Sequence, residues 1–533
     1  MMAVGPSRGS PCLTGPDGGR RLKVLLVYPD FEISLEHGTR RFVGVEQGGW
    51  YSEGLASLSA VLKREGHKVS LYHLVRPPEK REFVARIREE EPDLIGFSSL
   101  TRSFPSSVDM AAWTKAERDI PIVMGGYHAT HVPEDVVAVP QIDAVCRGEG
   151  EYPLLELIGR LEESQPFHDV PGLWVRTADG IVRNGPGGIL EDPDKMPMPD
   201  YGLFDFSKLQ ASKIRTAIVL LSRGCPYSCT YCPNKRTRQF YGKSRPPIRF
   251  PSPEVSIARL EHLREVFPDV RYINFRDDIL PWQGGWLDRF AHLYVSRINL
   301  PFNCNFRANL LTPRIVKTLK EMGCYQVFFG VESGNDRIRG EVLNRHMTRE
   351  QIVAAFEACH SAGIATVAYN MIGLPFEDRG CILDTIKLNA EIKAGVSLNP
   401  AYHPFPGTDL FDVAVAEGFV PRGFDYREDR YLEQPTLSLV DLRFALKYFK
   451  TFVRLYRRAY SKPPGPARDR HIRFLDGLYL SPGLPRRALT GLADWRDRLL
   501  GWTKGALLAR APRVYLFLRD RLRGVRTRRA EAA

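Results

Sequence analysis

The first 150 residues alternate short apolar runs with longer segments of helical period. Val24-Leu-Leu-Val-Tyr is apolar at nearly every position, as a strand covered on both faces requires. Gly54 to Glu65 carries apolar residues at helical spacing and stops at Gly66. Further strand-like runs lie at Lys68 to Leu74, Leu94 to Ser98, Ile122 to Gly126 and Ala144 to Gly150, with helical segments at Arg81–Glu91 and Val108–Arg118. This alternation predicts βαβ units and a parallel, doubly wound, Rossmann-like sheet. Ligands of such sheets bind beyond the carboxyl ends of the strands. The residues expected there are Ser98, Ser99 and Thr101 in one loop and Gly125, Gly126 and Tyr127 in another. Both are small-residue loops that let backbone N–H groups approach a bound group closely.

A stretch rich in Pro, Gly and Asp follows, including Gly185-Pro-Gly-Gly and Glu191-Asp-Pro-Asp-Lys-Met-Pro-Met-Pro-Asp, which is turn chemistry without a period. A second alternating series then begins near Ser207. Its strand-like runs are Ala217-Ile-Val-Leu-Leu, Tyr272 to Phe275, Phe302 to Phe306, Gln326 to Val331, Ala365 to Gly373 and a short one before Tyr402. Helix starts are marked by Ser252-Pro-Glu, Thr312-Pro-Arg and Thr348-Arg-Glu.

At 533 residues the chain exceeds what a single core supports and should hold about two to four domains. Its apolar runs are strand-sized, well below the ~18 residues of a membrane span. Residues 1–21, rich in Gly, Pro and Ser, read as a disordered lead with no apolar core of signal-peptide length. The nine cysteines suit a reducing compartment better than a disulfide framework, so a cytoplasmic enzyme is expected. The net charge of +13 is concentrated at one end: from Arg486 onward thirteen Lys and Arg stand against four acids. Trp495, Leu499, Leu500, Trp502 and further apolar residues are interleaved with them. Two readings stay open, a docked helix pair with a solvated basic face and a peripheral membrane contact on anionic lipid. Nucleic-acid binding has only the charge in its favour and is not expected.

Three cysteines stand close together in Leu221-Ser-Arg-Gly-Cys225-Pro-Tyr-Ser-Cys229-Thr-Tyr-Cys232, immediately after a strand-like run. A structural zinc knuckle would need a fourth ligand, and none follows nearby; the nearest histidine downstream is His262. A [4Fe–4S] cluster normally takes four thiolates, so three leave one iron open. This CxxxCxxC loop, with Tyr231 before its last cysteine, resembles that of the radical SAM superfamily. The resemblance implies a partial (β/α)6 barrel over residues 207–424 and a [4Fe–4S] cluster on Cys225, Cys229 and Cys232. It also implies S-adenosylmethionine on the open iron, split by one electron into methionine and a 5′-deoxyadenosyl radical. Other S-adenosylmethionine contacts implied are Tyr231, Asp277 (with Asp278 beside it) for the amino group and Arg307 for the carboxylate. Glu332 and Ser333 of Gly330-Val-Glu-Ser-Gly fall near the ribose, and Ile372 and Gly373 against the adenine. The remaining lone cysteines, Cys304 among them, read as small buried hydrophobes.

Residues 22–155, with Gly66-His, Pro92-Asp-Leu-Ile-Gly-Phe-Ser, Gly125-Gly-Tyr-His-Ala and Arg147-Gly-Glu-Gly-Glu, resemble the cobalamin-binding domain fused to many radical SAM enzymes. Cobalamin is then implied at Ser98, Ser99, Thr101, Gly125, Gly126 and Tyr127. His37 lacks the Asp-x-His-x-x-Gly setting of a cobalt ligand, and His128 and His131 read as polar loop residues. Together the resemblances imply a cobalamin-dependent radical SAM methylase acting on an unactivated carbon, with S-adenosylmethionine as methyl and radical source. The alternatives are a cyclase or rearrangement enzyme with the same cofactors, and a cobalamin sensor with an inactive barrel. A small-molecule or peptide substrate and an electron donor such as flavodoxin or ferredoxin are implied. Residues 156–206 are expected to be a linker. Residues 425–533 are expected to be a helical basic region whose segment from Leu442 to Tyr460 covers the barrel mouth.

Overall fold

The computed structural model describes residues 21–510 apart from 32, 37–38, 43–48, 190, 243–247, 422–423 and 426–429. The expected N-terminal lead, His37 and residues 511–533 therefore lie outside the described residues. Five strands, β1 (Lys23–Pro29), β2 (Lys68–Leu74), β3 (Leu94–Ser98), β4 (Ile122–Gly125) and β5 (Ala144–Cys146), form a parallel sheet in the order β2-β1-β3-β4-β5. Helices α1 (Glu53–Arg64), α2 (Lys80–Glu90), α3 (Phe104–Glu117) and α4 (Glu151–Glu162) accompany it. Alternate side chains of β1 point to opposite faces. Val24 and Leu26 pack with Leu55 of α1 and Leu157 of α4, while Leu25 and Val27 pack with Phe83 of α2 and Met110 of α3. Helices thus cover both faces, which is the doubly wound arrangement the alternation predicts.

The linker expectation fails over its first half. α4 runs through Glu162, and an antiparallel hairpin of β6 (Leu173–Thr177) and β7 (Gly180–Arg183) extends the sheet beyond β5. Leu173 and Val175 belong to the same core as β1, so this segment is part of the first domain. Its short strands leave little pattern in the sequence because only three residues of β6 are buried.

The second sheet contains β8 (Thr216–Val219), β9 (Tyr272–Phe275), β10 (Phe302–Phe306), β11 (Cys324–Glu332), β12 (Ala365–Asn370) and β13 (Val396–Leu398), all parallel and in chain order. Crossovers carry α5 (Asn234–Tyr241), α6 (Pro253–Val266), α7 (Trp286–Arg297), α8 (Pro313–Glu321), α9 (Arg349–Ser361) and α10 (Arg379–Glu391). The start signals work as read: Ser252 and Thr312 accept from backbone N–H groups, and Thr348 with Gln351 forms a capping box. β8 and β13 are the two ends of the sheet, so the barrel is partial. Ile273, Phe275, Cys304, Phe306, Val327 and Phe329 point into the helical shell. Cys304, Cys324 and Cys359 are buried there as small hydrophobes.

Three helices follow: α11 (Leu439–Tyr460), α12 (Pro466–Leu480) and α13 (Arg486–Arg510). α11 buries Phe444, Phe449 and Phe452 with Ile382 and Ile386 of α10. It therefore lies along an outer helix of the barrel instead of roofing its mouth, and its Leu442 approaches the Gly373 loop. Among the described residues no helix is long and apolar enough to cross a membrane.

Candidate functional site

The cysteine loop leaves the carboxyl end of β8 and is rooted by the next strand. Asp277, just past β9, accepts from the backbone N–H and hydroxyl of Ser222, each at 2.5 Å. It is almost fully buried, and burial pushes its carboxyl up to about 6. The loop itself is tied from outside. Arg238 of α5 donates to the carbonyls of Cys225 and Tyr227 at 3.0 and 3.2 Å and to Ser228 Oγ at 2.5 Å. Thr230 donates its N–H to Leu343 O at 3.1 Å and its hydroxyl to Val342 O at 2.7 Å. These bonds tie down the loop's backbone and hydroxyl groups without using its sulfurs.

Burial pushes the Cys232 thiol up to about 12 and raises that of Cys225, and each thiolate would feel the others' charge. A metal centre would offset this cost, because cysteines bind metals as thiolates. Among the described residues no three ligands converge tightly enough for one metal ion. Cys225, Cys229 and Cys232 are free thiols that share one loop of eight residues, and their donor chemistry fits an iron–sulfur cluster with one iron left open. Two guanidinium groups face Cys229: Arg307 Nη1 is 3.8 Å and Arg345 Nη1 3.6 Å from its Sγ. Arg307 also lies over the Tyr227 ring, 3.9 Å from its centroid.

Arg345 ties the next elements to this point. It donates to Gly330 O at 2.7 and 3.0 Å and to Tyr231 Oη at 3.0 Å, while Tyr231 donates to Glu332 Oε1 at 3.0 Å. Glu332 sits at φ 63°, unusual for a residue with a side chain, and burial raises its carboxyl. Thus Tyr231, Arg307 and Glu332 are gathered beside Cys229, and Arg345 joins them. Asn344-Arg345-His346 has no motif of its own; only the folded chain carries it under the loop.

Other expected contacts lie elsewhere. Asp277 is beneath the loop, whereas its neighbour Asp278 lines the cavity described below and accepts from Asn234 at 2.7 Å. Ser333 is fully buried, and its Oγ accepts from Asn335 N–H at 3.2 Å and meets Thr385 Oγ1 at 3.4 Å. Its hydroxyl is used up in a turn. The Ile372 side chain is in the apolar core shared with α10 and α11. Gly373 has φ 83°, and an added Cβ there would stand 2.9 Å from Leu442 Cδ1, so the site demands glycine.

A cavity of about 570 Å³ separates the two domains. The first sheet contributes Ser98, Gly125, Gly126 and Tyr127, and the barrel contributes Ser222, Asn234, Arg276 and Asp278. Gly126, at φ 93°, packs on the Ser99 backbone so closely that a Cβ would stand 2.9 Å from its N and 3.0 Å from its O. Glycine is thus demanded by the packing of this loop on the Ser98–Ser99 loop, which brings two stretches of backbone together at the cavity wall. Ser99 and Thr101 do not line the cavity. Ser99 is buried against Ser107 at 3.3 Å, and Thr101 faces His128 Nδ1 at 3.4 Å. They shape the loop from behind. His128 is buried on the Phe104 ring, whereas His131 reaches the cavity, where burial pushes it down to about 4. Tyr127 packs on His131 with the rings tilted by 53° and 4.7 Å between centroids, and burial, with Cys232 nearby, raises its hydroxyl.

The Arg147-Gly-Glu-Gly-Glu segment fixes one domain on the other. Arg223, two residues before Cys225, donates to Glu149 at 3.0 Å, Glu151 at 2.7 Å and Ser57 at 3.0 Å. Arg249 pairs with Glu149 as well.

The comparisons agree with this geometry. Residues 42–158 match the B12 binding domain and residues 219–388 the Radical SAM superfamily. The chain is therefore a radical SAM enzyme with a B12 binding domain ahead of its barrel, and a [4Fe–4S] cluster, S-adenosylmethionine and cobalamin are its cofactors. An uncharacterised methyltransferase of Pyrococcus horikoshii is 28% identical over 75% of this chain and 84% of its own length. An anaerobic magnesium-protoporphyrin IX monomethyl ester cyclase of Rubrivivax gelatinosus is 24% identical over 73% of this chain and 69% of its own. The radical S-adenosylmethionine methyltransferase TsrM of Kitasatospora setae, solved with cobalamin and a [4Fe–4S] cluster, shares the fold. Its TM-score is 0.59 at 18% identity over 75% of this chain and 76% of that one.

Proposed function

We propose that this protein is a cobalamin-dependent methylase that places a methyl group on an unactivated carbon. The observation that carries the reading is the single cavity reached by Gly126 and Tyr127 from one domain and by the root of the cysteine loop from the other. When bound, the cluster supplies the electron that splits S-adenosylmethionine, and cobalamin supplies the methyl group.

The chain's own residues then have these roles. Cys225, Cys229 and Cys232 hold three irons, and Arg307 and Arg345 offset the negative charge at Cys229. Tyr231, Arg345 and Glu332 keep a carboxylate poised at the carboxyl end of β11. The backbone at Ile372 and Gly373 offers a flat apolar seat for adenine. Gly125, Gly126, Ser98 and Tyr127 receive cobalamin, and the Arg223–Glu149–Glu151 cluster sets the distance between the two cofactors. A reduced flavodoxin or ferredoxin supplies electrons to a cytoplasmic enzyme whose substrate is a small molecule or peptide. The similarity to the cyclase favours ring formation as the second reading.

Anaerobic reconstitution with dithionite separates these readings by two products. The methylase forms both 5′-deoxyadenosine and S-adenosylhomocysteine; a cyclase forms only the first, and a sensor neither. Cys229→Ala should abolish both. Gly126→Ala should lose bound cobalamin and S-adenosylhomocysteine while still forming 5′-deoxyadenosine. Loss of neither product in Cys229→Ala overturns the reading.

A second surface supports peripheral membrane contact. On α13 the acids Asp494 and Asp497 both pair with Lys447 of α11, which turns negative charge inward. Leu492, Trp495 and Leu499, spaced for one helix face, remain exposed. Seven arginines follow in residues 511–529 of the sequence against one aspartate. An exposed Trp/Leu face followed by basic sequence suits an anionic lipid surface.

A further inference from the structure

A belt of carboxamides crosses the inner wall of the barrel. The parallel register aligns Ile218 with Asn274, Asn274 with Asn303, and Asn303 with Gln326 on four adjacent strands. Their chain neighbours Ile273, Phe275, Phe302, Cys304 and Val327 lie in the helical shell, so strand alternation turns the belt inward. Closed α/β barrels fill this space with layers of Val, Ile and Leu. Here it stays open: Leu220, Tyr272, Tyr325, Val396 and Leu398 each keep more than a third of their surface accessible.

The belt is also unsatisfied. Asn274 and Asn303 are over nine-tenths buried, yet the Oδ1 of each has no hydrogen-bond partner. Asn303 donates its amide to Tyr325 Oη at 2.8 Å, so its carbonyl oxygen is what remains. The two neighbouring carboxamides do not bond each other. Buried acceptors of this kind destabilise a fold until a donor arrives. One layer nearer the carboxyl ends is Arg276, which has no carboxylate partner among the described residues. Its guanidinium lies 3.5 Å from Tyr369 Oη and 5.8 Å from the Phe328 ring centroid. Phe328 and Tyr369 stack at 5.7 Å and 18° to form a flat aromatic wall. Arg276 also lines the cavity between the domains, one layer above the belt.

We infer that this inner wall seats a planar substrate ring with N–H or O–H donors on one edge, received by Asn274 and Asn303, and an anionic group received by Arg276. Phe328 and Tyr369 face the ring. A saturated hydrocarbon would leave both buried oxygens as they stand and gain nothing from them. The inference rests on the proposed function only in taking the barrel as the reaction chamber.

Three soluble probes test it by calorimetry on the cofactor-loaded protein: orotate (ring donors and an anion), uracil (donors alone) and benzoate (an anion alone). Orotate should bind about tenfold more tightly than either, the loss that follows when one polar contact is left unpaired. Asn274→Leu/Asn303→Leu should bring orotate down to benzoate's affinity while the thermal midpoint holds or rises. Arg276→Leu should bring it down to uracil's. Equal binding of benzoate and orotate by the parent, no binding of orotate, or a double variant that unfolds well below the parent overturns the inference. Formation of 5′-deoxyadenosine is scored separately. A protein that forms it without binding orotate overturns this inference alone; one that binds orotate without forming it overturns the functional reading alone.

Discussion

Glutamine at position 377 should make the protein's stability less sensitive to alkaline pH. Glu377 follows β12 and is fully buried. Its Oε2 accepts from the N–H groups of Gly373 at 2.5 Å and Leu374 at 3.2 Å, while Oε1 has no partner. Burial pushes the carboxyl from its ordinary 4.5 to about 8, against the opposing pull of the two backbone donors. The folded chain therefore keeps this proton to about pH 8, whereas the unfolded chain releases it near 4.5. Between those values the folded state binds more protons, so stability falls as pH rises. One pH unit in this window costs about 1.4 kcal/mol, so pH 6 to pH 8 costs about 3 kcal/mol. Glutamine keeps an acceptor for both N–H groups and never ionises. Urea unfolding of Glu377→Gln and parent under anoxic conditions, at pH 6 and pH 9, isolates this group because all others cancel in the difference. The variant's advantage should grow by about 3 kcal/mol over that range. An advantage that stays constant, or shrinks, refutes the reasoning and makes Glu377 an ionised staple.

Arg345→Met removes the donors to Gly330 O and Tyr231 Oη and leaves Glu332 without its nearest cation. Breaking such a buried set should cost about 3–5 kcal/mol, read as a lower urea midpoint, with less iron retained per chain. Arg345→Lys should restore only part of both, since an ammonium cannot span the same acceptors. Sedimentation with phosphatidylcholine vesicles, with and without phosphatidylglycerol, tests α13. The parent should pellet only with the anionic vesicles, and Leu492→Glu/Trp495→Glu should stay in solution. Pelleting that ignores either lipid charge or these substitutions refutes membrane contact.

Much of the fold could be read from periodicity, because strands buried on both faces must be apolar throughout and their crossovers must be amphipathic. β6 and β7 were missed for the converse reason: an edge hairpin buries too little to leave a pattern. The cysteine loop was legible because its ligands are local, three thiols within eight residues. Sites assembled from distant strands were legible only by resemblance, and there the assignments diverged. Asp277 commits Oδ1 to Ser222 while its Oδ2 has no partner, and Asp278 takes the position facing the cavity.

The amino-acid order alone determined two parallel sheets, their division of labour and the presence of a three-thiol loop, since each follows from short-range spacing. Tertiary structure decided which charges meet. Arg345 reaches Cys229 across more than a hundred residues of chain, and the belt of Asn274, Asn303 and Gln326 exists only through strand register. Register and loop packing depend on contacts between distant segments, and no local pattern encodes them.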